Sequence, residues 1–246
     1  MPRNHYLIIG GTKGIGRQLT LSLSSQDDIA ISVISRATPE DNQKVTGASY
    51  FELDLSKRNT IPKVCREVVR SNGSITNIVF TQRHRDSGDL WDSEIEVMLS
   101  ATRCIIDSCQ ASFLPNNDNS IVIVSSALST FVADNQPISY HLTRAALDQM
   151  IRYYAVSLGK SGIRVNGVAP CTFLKDENRK FMLKHKDRLN TQKRITPLDR
   201  MGTVEEVCSV IKFLMSSDAS FVTGQIIVVD GGVSIRWQES VALGDS

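Results

Sequence analysis

Three polar residues in the middle of the chain have the types and the spacing of an acid–base site. Ser126 follows an apolar run, Tyr140 lies fourteen residues later, and Arg144 lies four residues after Tyr140. Residues four apart share one face of a helix, so the phenol and the guanidinium are expected to be neighbours. Phenols ionise near pH 10, and a nearby fixed cation favours the phenolate. We predict that Ser126 donates to a carbonyl, Tyr140 passes it a proton and Arg144 assists; the alternative is an ordinary solvated helix face.

A glycine-rich turn near the N-terminus is the second candidate site. Residues 6–16 read Y-L-I-I-G-G-T-K-G-I-G, an apolar run that ends in three spaced glycines, and a helical pattern follows. A strand, a tight turn and a helix in this order let the backbone approach a diphosphate, which the helix N-terminus attracts. The alternative is a βα turn without a ligand. The predicted binding residues are Gly10, Thr12, Lys13, Gly14, Ile15 and Gly16.

The end of the second predicted strand indicates which dinucleotide would bind. A site selective for NAD places a carboxylate at this point, whereas this chain has Ser35 followed by Arg36. Arginine offers paired donors to a 2′-phosphate, and Lys13 of the glycine-rich turn is expected close to the same phosphate. We therefore predict NADP(H) as the cofactor. The alternative is that both cations are exposed and bind nothing.

Length and composition favour a soluble globular protein. The chain has 246 residues, of which 41% are hydrophobic and 22% charged, and this suits one large α/β domain. No apolar run approaches the roughly 20 residues that span a bilayer, and the polar start of the chain does not resemble a signal peptide. The net charge of +2 gives no argument for nucleic acid. We expect a cytoplasmic protein that binds neither membrane nor nucleic acid.

The cysteines argue against a disulfide framework or a metal site. There are five of them, an odd number, and none forms a C-x-x-C pair. We expect free thiols in a reducing compartment and no bound metal.

Predicted strands and helices alternate along the chain. This alternation favours βαβ units and one parallel sheet with helices on both faces. After the first strand, strands are predicted over 29–34, 50–53, 77–80, 121–124, 163–168 and 225–229, and helices over 57–70, 91–113, 139–158 and 203–215.

Over nearly its full length the chain resembles the short-chain dehydrogenase/reductase family, and within it the 3-oxoacyl-[acyl-carrier-protein] reductase group. The resemblance implies one Rossmann-type domain over 1–246, with a doubly wound parallel sheet of strand order 3-2-1-4-5-6-7. It also implies a homodimer or homotetramer packed through the helices that begin near Trp91 and Ser139. The matching motifs are the spaced glycines, Asp54-Leu55, Ser126, Tyr140, G-I-R-V-N-G-V-A-P over 162–170 and V-T-G-Q-I-I-V-V-D-G-G over 222–232.

The resemblance adds cofactor contacts to those of the glycine-rich turn. Asp54 and Leu55 would contact the adenine, although an Asp here also suits a helix N-cap. Pro170 and Thr172 follow strand six near the nicotinamide, and Tyr140 and Arg144 would bind the cofactor as well as act in catalysis. Cys171 would place a thiol near the nicotinamide, or would act as a small apolar filler.

Four departures from the family pattern make the active site degenerate. The family's Tyr-x-x-x-Lys becomes Y-H-L-T-R, so that Arg144 replaces the lysine. Met98 stands where the family has the asparagine of its proton relay, and Pro170-Cys171 replaces Pro-Gly. The Asn-Asn-Ala-Gly turn reads F-T-Q-R over 80–83. Arginine keeps the charge but cannot release a proton, so we expect the relay to be broken or rerouted.

Residues 171–200 would form the substrate lid of the family. Basic residues dominate this segment, and Arg83, His84 and Arg85 precede it in the chain near the same entrance. A positive rim suits an acidic carrier protein or the phosphates of coenzyme A, and the alternative is a solvated lid helix. The basic residues of the segment are Lys175, Arg179, Lys180, Lys184, His185, Lys186, Arg188, Lys193 and Arg194.

Two functions follow from these patterns. The first is an NADPH-dependent reductase of a ketone, such as a 3-oxoacyl thioester on acyl carrier protein or coenzyme A. The second is a catalytically impaired nucleotide-binding subunit, a pseudoenzyme that forms a hetero-oligomer with an active homologue. We favour the enzyme because Ser126 and Tyr140 are both kept.

Overall fold

The apolar runs of the sequence form a central sheet that is buried on both faces, as parallel strands require. The computed structural model describes residues 4–84 and 90–243. The strands are β1 Asn4–Ile9, β2 Ile29–Ser35, β3 Ala48–Glu52, β4 Asn77–Phe80, β5 Asn119–Val124, β6 Ile163–Pro170, β7 Phe173–Leu174, β8 Gly202–Thr203 and β9 Ile226–Val229. Seven of them pair in parallel in the order β3-β2-β1-β4-β5-β6-β9. This confirms the predicted doubly wound sheet, since β9 is the seventh strand of the main sheet.

Helices cover both faces of the sheet. One hydrophobic core lies under α2, α4 and α5, and a second lies under α1 and α8. Strand order reverses beside β1, which pairs with β2 on one side and with β4 on the other. In open sheets of this type, ligands bind at the carboxyl ends of the strands beside this reversal. The helices are α1 Gly14–Leu23, α2 Ile61–Asn72, α3 Leu90–Ile95, α4 Ala101–Cys109, α5 Ile138–Gly159, α6 Asp176–Lys184, α7 Lys186–Ile195, α8 Val204–Met215 and α9 Gln238–Leu243.

Helix α2 begins later than the sequence predicts. The α-helix begins at Ile61, and the three residues Arg58–Thr60 before it form a 3₁₀ turn. Pro62 in the first turn has no N–H and cannot bond to the carbonyl of residue 58, so a regular α-helix does not extend back to residue 57.

The helix predicted over 91–113 is interrupted by a π-helical turn. Glu96–Ser100 forms this wider turn between α3 and α4, and Met98 lies in its centre with 1% of its surface exposed. The Thr102 hydroxyl donates to the Met98 carbonyl at 2.7 Å. Turns of this kind are frequent near functional sites. A hydrophobic period alone does not reveal such a turn, because the apolar stripe continues through it.

Residues 171–200 contain a hairpin of two helices, and a short pair of strands connects the beginning and the end of this hairpin. β7 pairs with β8, so that Phe173 lies opposite Gly202 and Leu174 opposite Thr203. Helices α6 and α7 lie between these two strands. This pairing therefore ties the two ends of the helical segment together.

A capping box stabilises the start of α8, since the Thr203 hydroxyl accepts from the Glu206 N–H and the Thr203 N–H donates to the Glu206 carboxylate. All five cysteines are free thiols, as predicted. None of the helices within the described parts of the chain has the length and apolarity to cross a bilayer.

Candidate active site

The glycine-rich turn lies directly against the residues that follow β4. There is no room for a side chain at Gly10 or at Gly16. Gly10 has φ of +86°, and a Cβ there would lie 2.8 Å from the backbone nitrogen of Gln82. At Gly16 a Cβ would lie 2.5 Å from the Gly10 carbonyl oxygen. The turn thus brings bare backbone to the carboxyl edge of the sheet, as close contact with a diphosphate requires.

The N-terminus of α1 is left open towards this edge. Lys13 occupies the N-cap position without a side-chain cap, and the first turn of α1 contains no acidic residue. Thr12, Gly14 and Ile15 are half-buried, whereas Lys13 is exposed. A cavity of about 180 Å³ adjoins Gly14 and Arg17. Bare backbone, free N–H groups and neighbouring positive charge therefore fit the diphosphate of a dinucleotide.

Arg36 lies exposed after β2, close enough to act electrostatically on Asp54. A carboxylate that the sequence pattern did not predict lies near the same strand ends. Glu52 lies opposite Ser35 across the β2–β3 pair, and its carboxylate accepts from the Thr38 N–H at 3.0 Å. This hydrogen bond holds the pKa of Glu52 below its usual value, so a negative charge stands beside the predicted 2′-phosphate position.

Asp54 forms a local turn instead of capping α2. Its carboxylate accepts from the Ser56 hydroxyl at 2.7 Å and from the Ser56 N–H at 3.0 Å. The Ser56 hydroxyl is the main cause that lowers the pKa of Asp54. The N-cap of α2 is Thr60, so the helix-cap interpretation of Asp54 is wrong. The Leu55 side chain belongs to the core.

The serines after β5 are tied to α5. Ser125 donates its hydroxyl to the Arg144 carbonyl at 3.3 Å and links the strand end to the helix. The Ser126 hydroxyl accepts from the Leu128 N–H at 3.2 Å and keeps its own proton for another acceptor. Only 6% of Ser126 is exposed, so its hydroxyl is held in one place.

Tyr140 and Arg144 meet on one face of α5, as the spacing predicts. The guanidinium carbon lies 4.6 Å from the centroid of the phenol ring. Arg144 is buried with 2% exposure, whereas Tyr140 is half-buried. The interpretation as a solvated helix face is therefore wrong for Arg144. Burial lowers the pKa of Arg144, whereas the neighbouring Tyr140 and Glu94 side chains raise it. A guanidinium stays charged in a protein even when it is buried.

A buried acidic residue that the sequence pattern did not predict lies beside this pair. Glu94 on α3 is buried, and its Oε1 lies 3.8 Å from Nη2 of Arg144. Gln82 after β4 is also buried and donates to the Thr102 hydroxyl at 2.8 Å. Glu94 lies four residues before Met98, on the buried stripe of the long helix. A charged residue in that stripe is the signal that could have revealed it.

The residues at the end of β6 lead into β7 and the two helices that follow it. Pro170 is buried at the end of the strand, Cys171 is half-buried, and Thr172 is exposed. The Cys171 N–H donates to the Val229 carbonyl at 3.2 Å. Burial raises the pKa of the Cys171 thiol, so this group is a protonated thiol at neutral pH. Its surroundings suit a small filler better than a nucleophile.

Of the predicted basic entrance, Arg83 is exposed and His84 contacts the Ser93 hydroxyl at 3.0 Å. Arg85 lies outside the described residues. Where the structure describes the chain, no group of three His, Cys, Asp or Glu side chains is arranged to hold a metal ion.

A parallel sheet with a bare glycine-rich turn at its reversal point, and a serine and a phenol on adjoining elements, defines a dinucleotide-binding oxidoreductase. The profile of the family described as "Enoyl-(Acyl carrier protein) reductase" matches residues 10–234. The chain belongs to the short-chain dehydrogenase/reductase family of oxidoreductases, whose members use NAD(P)(H).

Relatives with different substrates share the whole fold. The chain is 30% identical over 244 residues to a 3-oxoacyl-[acyl-carrier-protein] reductase of Thermotoga maritima, covering 93% of this chain and 97% of that one. It is 28% identical over 246 residues to an L-rhamnose 1-dehydrogenase (NADP(+)) of Thermoplasma acidophilum, covering 94% and 96%. A solved 3-oxoacyl-[acyl-carrier protein] reductase from Brucella melitensis superposes with a TM-score of 0.82 at 21% identity, covering 96% and 99%.

Proposed function

We propose that the protein is an NADP(H)-dependent ketoreductase in which Tyr140 gives the proton. The observation that carries this proposal is the buried cation beside the phenol, since Arg144 lies 4.6 Å from the Tyr140 ring. A fixed positive charge favours the phenolate that remains after proton transfer. Ser126 keeps a hydroxyl proton available and would orient the substrate carbonyl. Tyr140, Ser126 and Arg144 would therefore supply the acid, the hydrogen-bond donor and the cation as three separate groups.

The residues of the first turn would hold the cofactor, which supplies the hydride when bound. Gly10, Gly14 and Gly16 provide bare backbone, and the open N-terminus of α1 attracts the diphosphate. Asp54 and Leu55 would contact the adenine, while Pro170 and Thr172 would face the nicotinamide. Tyr140 and Arg144 would also bind its ribose.

A choice of NADP(H) over NAD(H) rests on Lys13 and Arg36, which are both exposed at the nucleotide edge. Arginine binds a 2′-phosphate through paired donors. The charge of Glu52 opposes this choice in part, because it lies beside the loop that carries Arg36. The carboxylate of Asp54, on which Arg36 acts, opposes it as well, so the proposed preference depends on the direct contact of Arg36 with the phosphate.

A carrier-bound or coenzyme A-bound 3-oxoacyl thioester is the substrate that we propose. The helical hairpin over 171–200 would act as the lid, and its basic side chains are largely exposed on α6 and α7. Exposed lysines and arginines raise the rate of encounter with acidic partners. The relative from Thermotoga maritima is named for an activity on acyl carrier protein, which supports this choice.

The experiment that tests this function measures NADPH oxidation at 340 nm with 3-oxoacyl thioesters, simple ketones and sugars. We expect turnover that falls on the order of 100-fold or more in Tyr140→Phe, because general acid catalysis contributes at least this much. Tyr50→Phe is the control for the loss of a phenol hydroxyl elsewhere, since the Tyr50 hydroxyl on β3 accepts from the Val45 N–H at 2.9 Å and takes no part in the proposed reaction. No oxidation with any substrate, or equal rates in both variants, would refute the proposal.

A second candidate function is a nucleotide-binding subunit without turnover. It is favoured by the buried Met98, which places a thioether where the family has a relay asparagine. Met98→Asn combined with Arg144→Lys separates the two functions. A large gain in rate from near zero would support the pseudoenzyme, and a loss would support an adapted enzyme.

For the oligomer we propose a homodimer through the outer face of α4 and α5. A groove of about 780 Å³ is lined by residues of α4 and α5, among them Tyr153, which exposes 65% of its surface. Burial of such side chains against a second copy removes apolar area from water. A homotetramer would need a further surface, and the pseudoenzyme would instead pair with an active homologue. Size-exclusion chromatography with light scattering distinguishes these states.

A further inference from the structure

Glu94 is a buried carboxylate that the proposed reaction does not use. Its residue exposure is 5%, and that of Arg144 is 2%. Glu94 Oε1 lies 3.8 Å from Nη2 of Arg144, and the two side chains keep only 7% and 3% of their surfaces. Among the ion pairs between described residues, this is the one with both side chains so deeply buried.

A buried charge needs a partner because removal from water is costly. Arg144 on α5 and Glu94 on α3 are such partners, and neither has a second oppositely charged group among the described ion pairs. An arginine at this position requires a carboxylate nearby, and a carboxylate in the apolar stripe of the long helix requires a cation. The burial of each of these two charges is therefore explained by the presence of the other.

The contacts of the guanidinium show what Glu94 does to it. The Tyr140 ring lies on one side at 4.6 Å, and the Glu94 carboxylate lies at 3.8 Å from Nη2. Nε of Arg144 and Oε1 of Glu94 have no hydrogen-bond partner among the described atoms. The guanidinium is thus held against the phenol by charge and by stacking, and it retains donors for a ligand.

We propose that Glu94 is a positioning residue that holds the Arg144 guanidinium against Tyr140, and this inference rests on the proposed reductase function. Where the family has the flexible ammonium of a lysine, this chain would have a guanidinium that the Glu94 carboxylate holds in place. Without the carboxylate, Arg144 would turn towards water or towards another acceptor, and the phenolate would lose its cation. Glu94 would touch neither substrate nor cofactor.

The test is Glu94→Gln, which keeps the shape and removes the charge. We expect kcat to fall on the order of 10- to 100-fold, as small misplacements of catalytic groups do, with the KM for the ketone unchanged within roughly twofold. Glu94→Asp keeps the charge, and we expect it to restore most of kcat. Glu96→Gln is the matched control, since Glu96 is half-buried two residues further on and pairs with Arg58 at 3.4 Å instead of with Arg144.

A crystal structure of Glu94→Gln makes the inference independent of turnover. We expect the guanidinium to move off the Tyr140 ring, beyond the present 4.6 Å. An unchanged distance, or an unchanged kcat per folded molecule with only a lower Tm, would overturn the positioning role. If Glu94→Gln does not fold, Glu94→Asp is used for the test. A kcat of Glu94→Asp as low as that of Arg144→Met would also overturn the positioning role. Absence of turnover in the natural protein would refute the proposed function and leave the structural readout valid.

Discussion

The guanidinium of Arg144 stacks on the ring of Tyr140 from within the protein, 4.6 Å from the centroid and with 2% of the arginine exposed. Residues four apart on α5 meet in this way because they share one helix face. Water does not screen the charge at this depth, so it acts on the phenol more strongly than a surface cation would. In the proposed mechanism, arginine in place of the family's lysine would therefore keep the electrostatic role and change how the cation is held.

Substitutions of Arg144 should separate charge from shape. Arg144→Met removes the cation and leaves Glu94 buried without its partner. We expect kcat to fall roughly 100-fold or more and the protein to lose about 3 kcal/mol of stability. Arg144→Lys keeps the charge, and we expect a smaller loss of kcat. Equal kcat in the two variants would show that the charge is irrelevant. Steady-state kinetics and urea unfolding measure both quantities.

A methyl group at Gly10 should block the nucleotide site. In Gly10→Ala the new Cβ would meet the Gln82 backbone nitrogen at 2.8 Å, in a backbone with φ of +86°. We expect a loss of at least about 2 kcal/mol of stability and of measurable NADPH binding by calorimetry. Gly47→Ala is the control, because φ is +82° there but nothing lies within 4 Å of the added Cβ. That control should lose about 1 kcal/mol and bind normally.

Cofactor preference should follow the charges after β2 and β3. Arg36→Ala should weaken NADPH binding by roughly 10-fold and leave NADH binding unchanged, because a charge-assisted contact to the 2′-phosphate is lost. Glu52→Gln should do the opposite and strengthen NADPH binding, since it removes the carboxylate that accepts from the Thr38 N–H. Fluorescence titration with both cofactors measures the ratio. Equal changes for NADPH and NADH in Arg36→Ala would contradict the assignment.

The Arg200–Glu206 contact should contribute stability that depends on pH. The Arg200 side chain, and then the Thr203 N–H, hold the pKa of Glu206 below its ordinary value of 4.5. A lowered folded pKa means that the contribution is fully present above about pH 4.5 and is lost as the pH falls through the lower value. We expect Glu206→Gln to lower Tm by roughly 2–4 °C at pH 7 and by less near pH 3. Glu205→Gln, on the same turn, is the control in thermal scans.

The sequence predicts the frame of the molecule well because the frame depends on local patterns. Continuous apolar runs become strands buried on both faces, and spaced glycines become the turn between β1 and α1. The spacing of Tyr140 and Arg144 predicts their contact because helix geometry alone sets it. Each of these features involves residues that are close in the chain.

What the sequence did not reveal depends on contacts between distant elements. Glu94 and Arg144 lie fifty residues apart, and their pairing depends on how α3 packs against α5. The Glu52 carboxylate reaches Thr38 only because β2 and β3 pair in one register. The π-helical turn around Met98 leaves the hydrophobic stripe intact, so periodicity does not show it.

A crystal structure with NADPH bound is the most direct measurement. We expect the diphosphate against the turn from Gly10 to Gly16, and the nicotinamide ring facing the Tyr140 hydroxyl with Arg144 still stacked behind the phenol. A diphosphate that lies elsewhere, or a phenol that points away from the nicotinamide, would contradict the account.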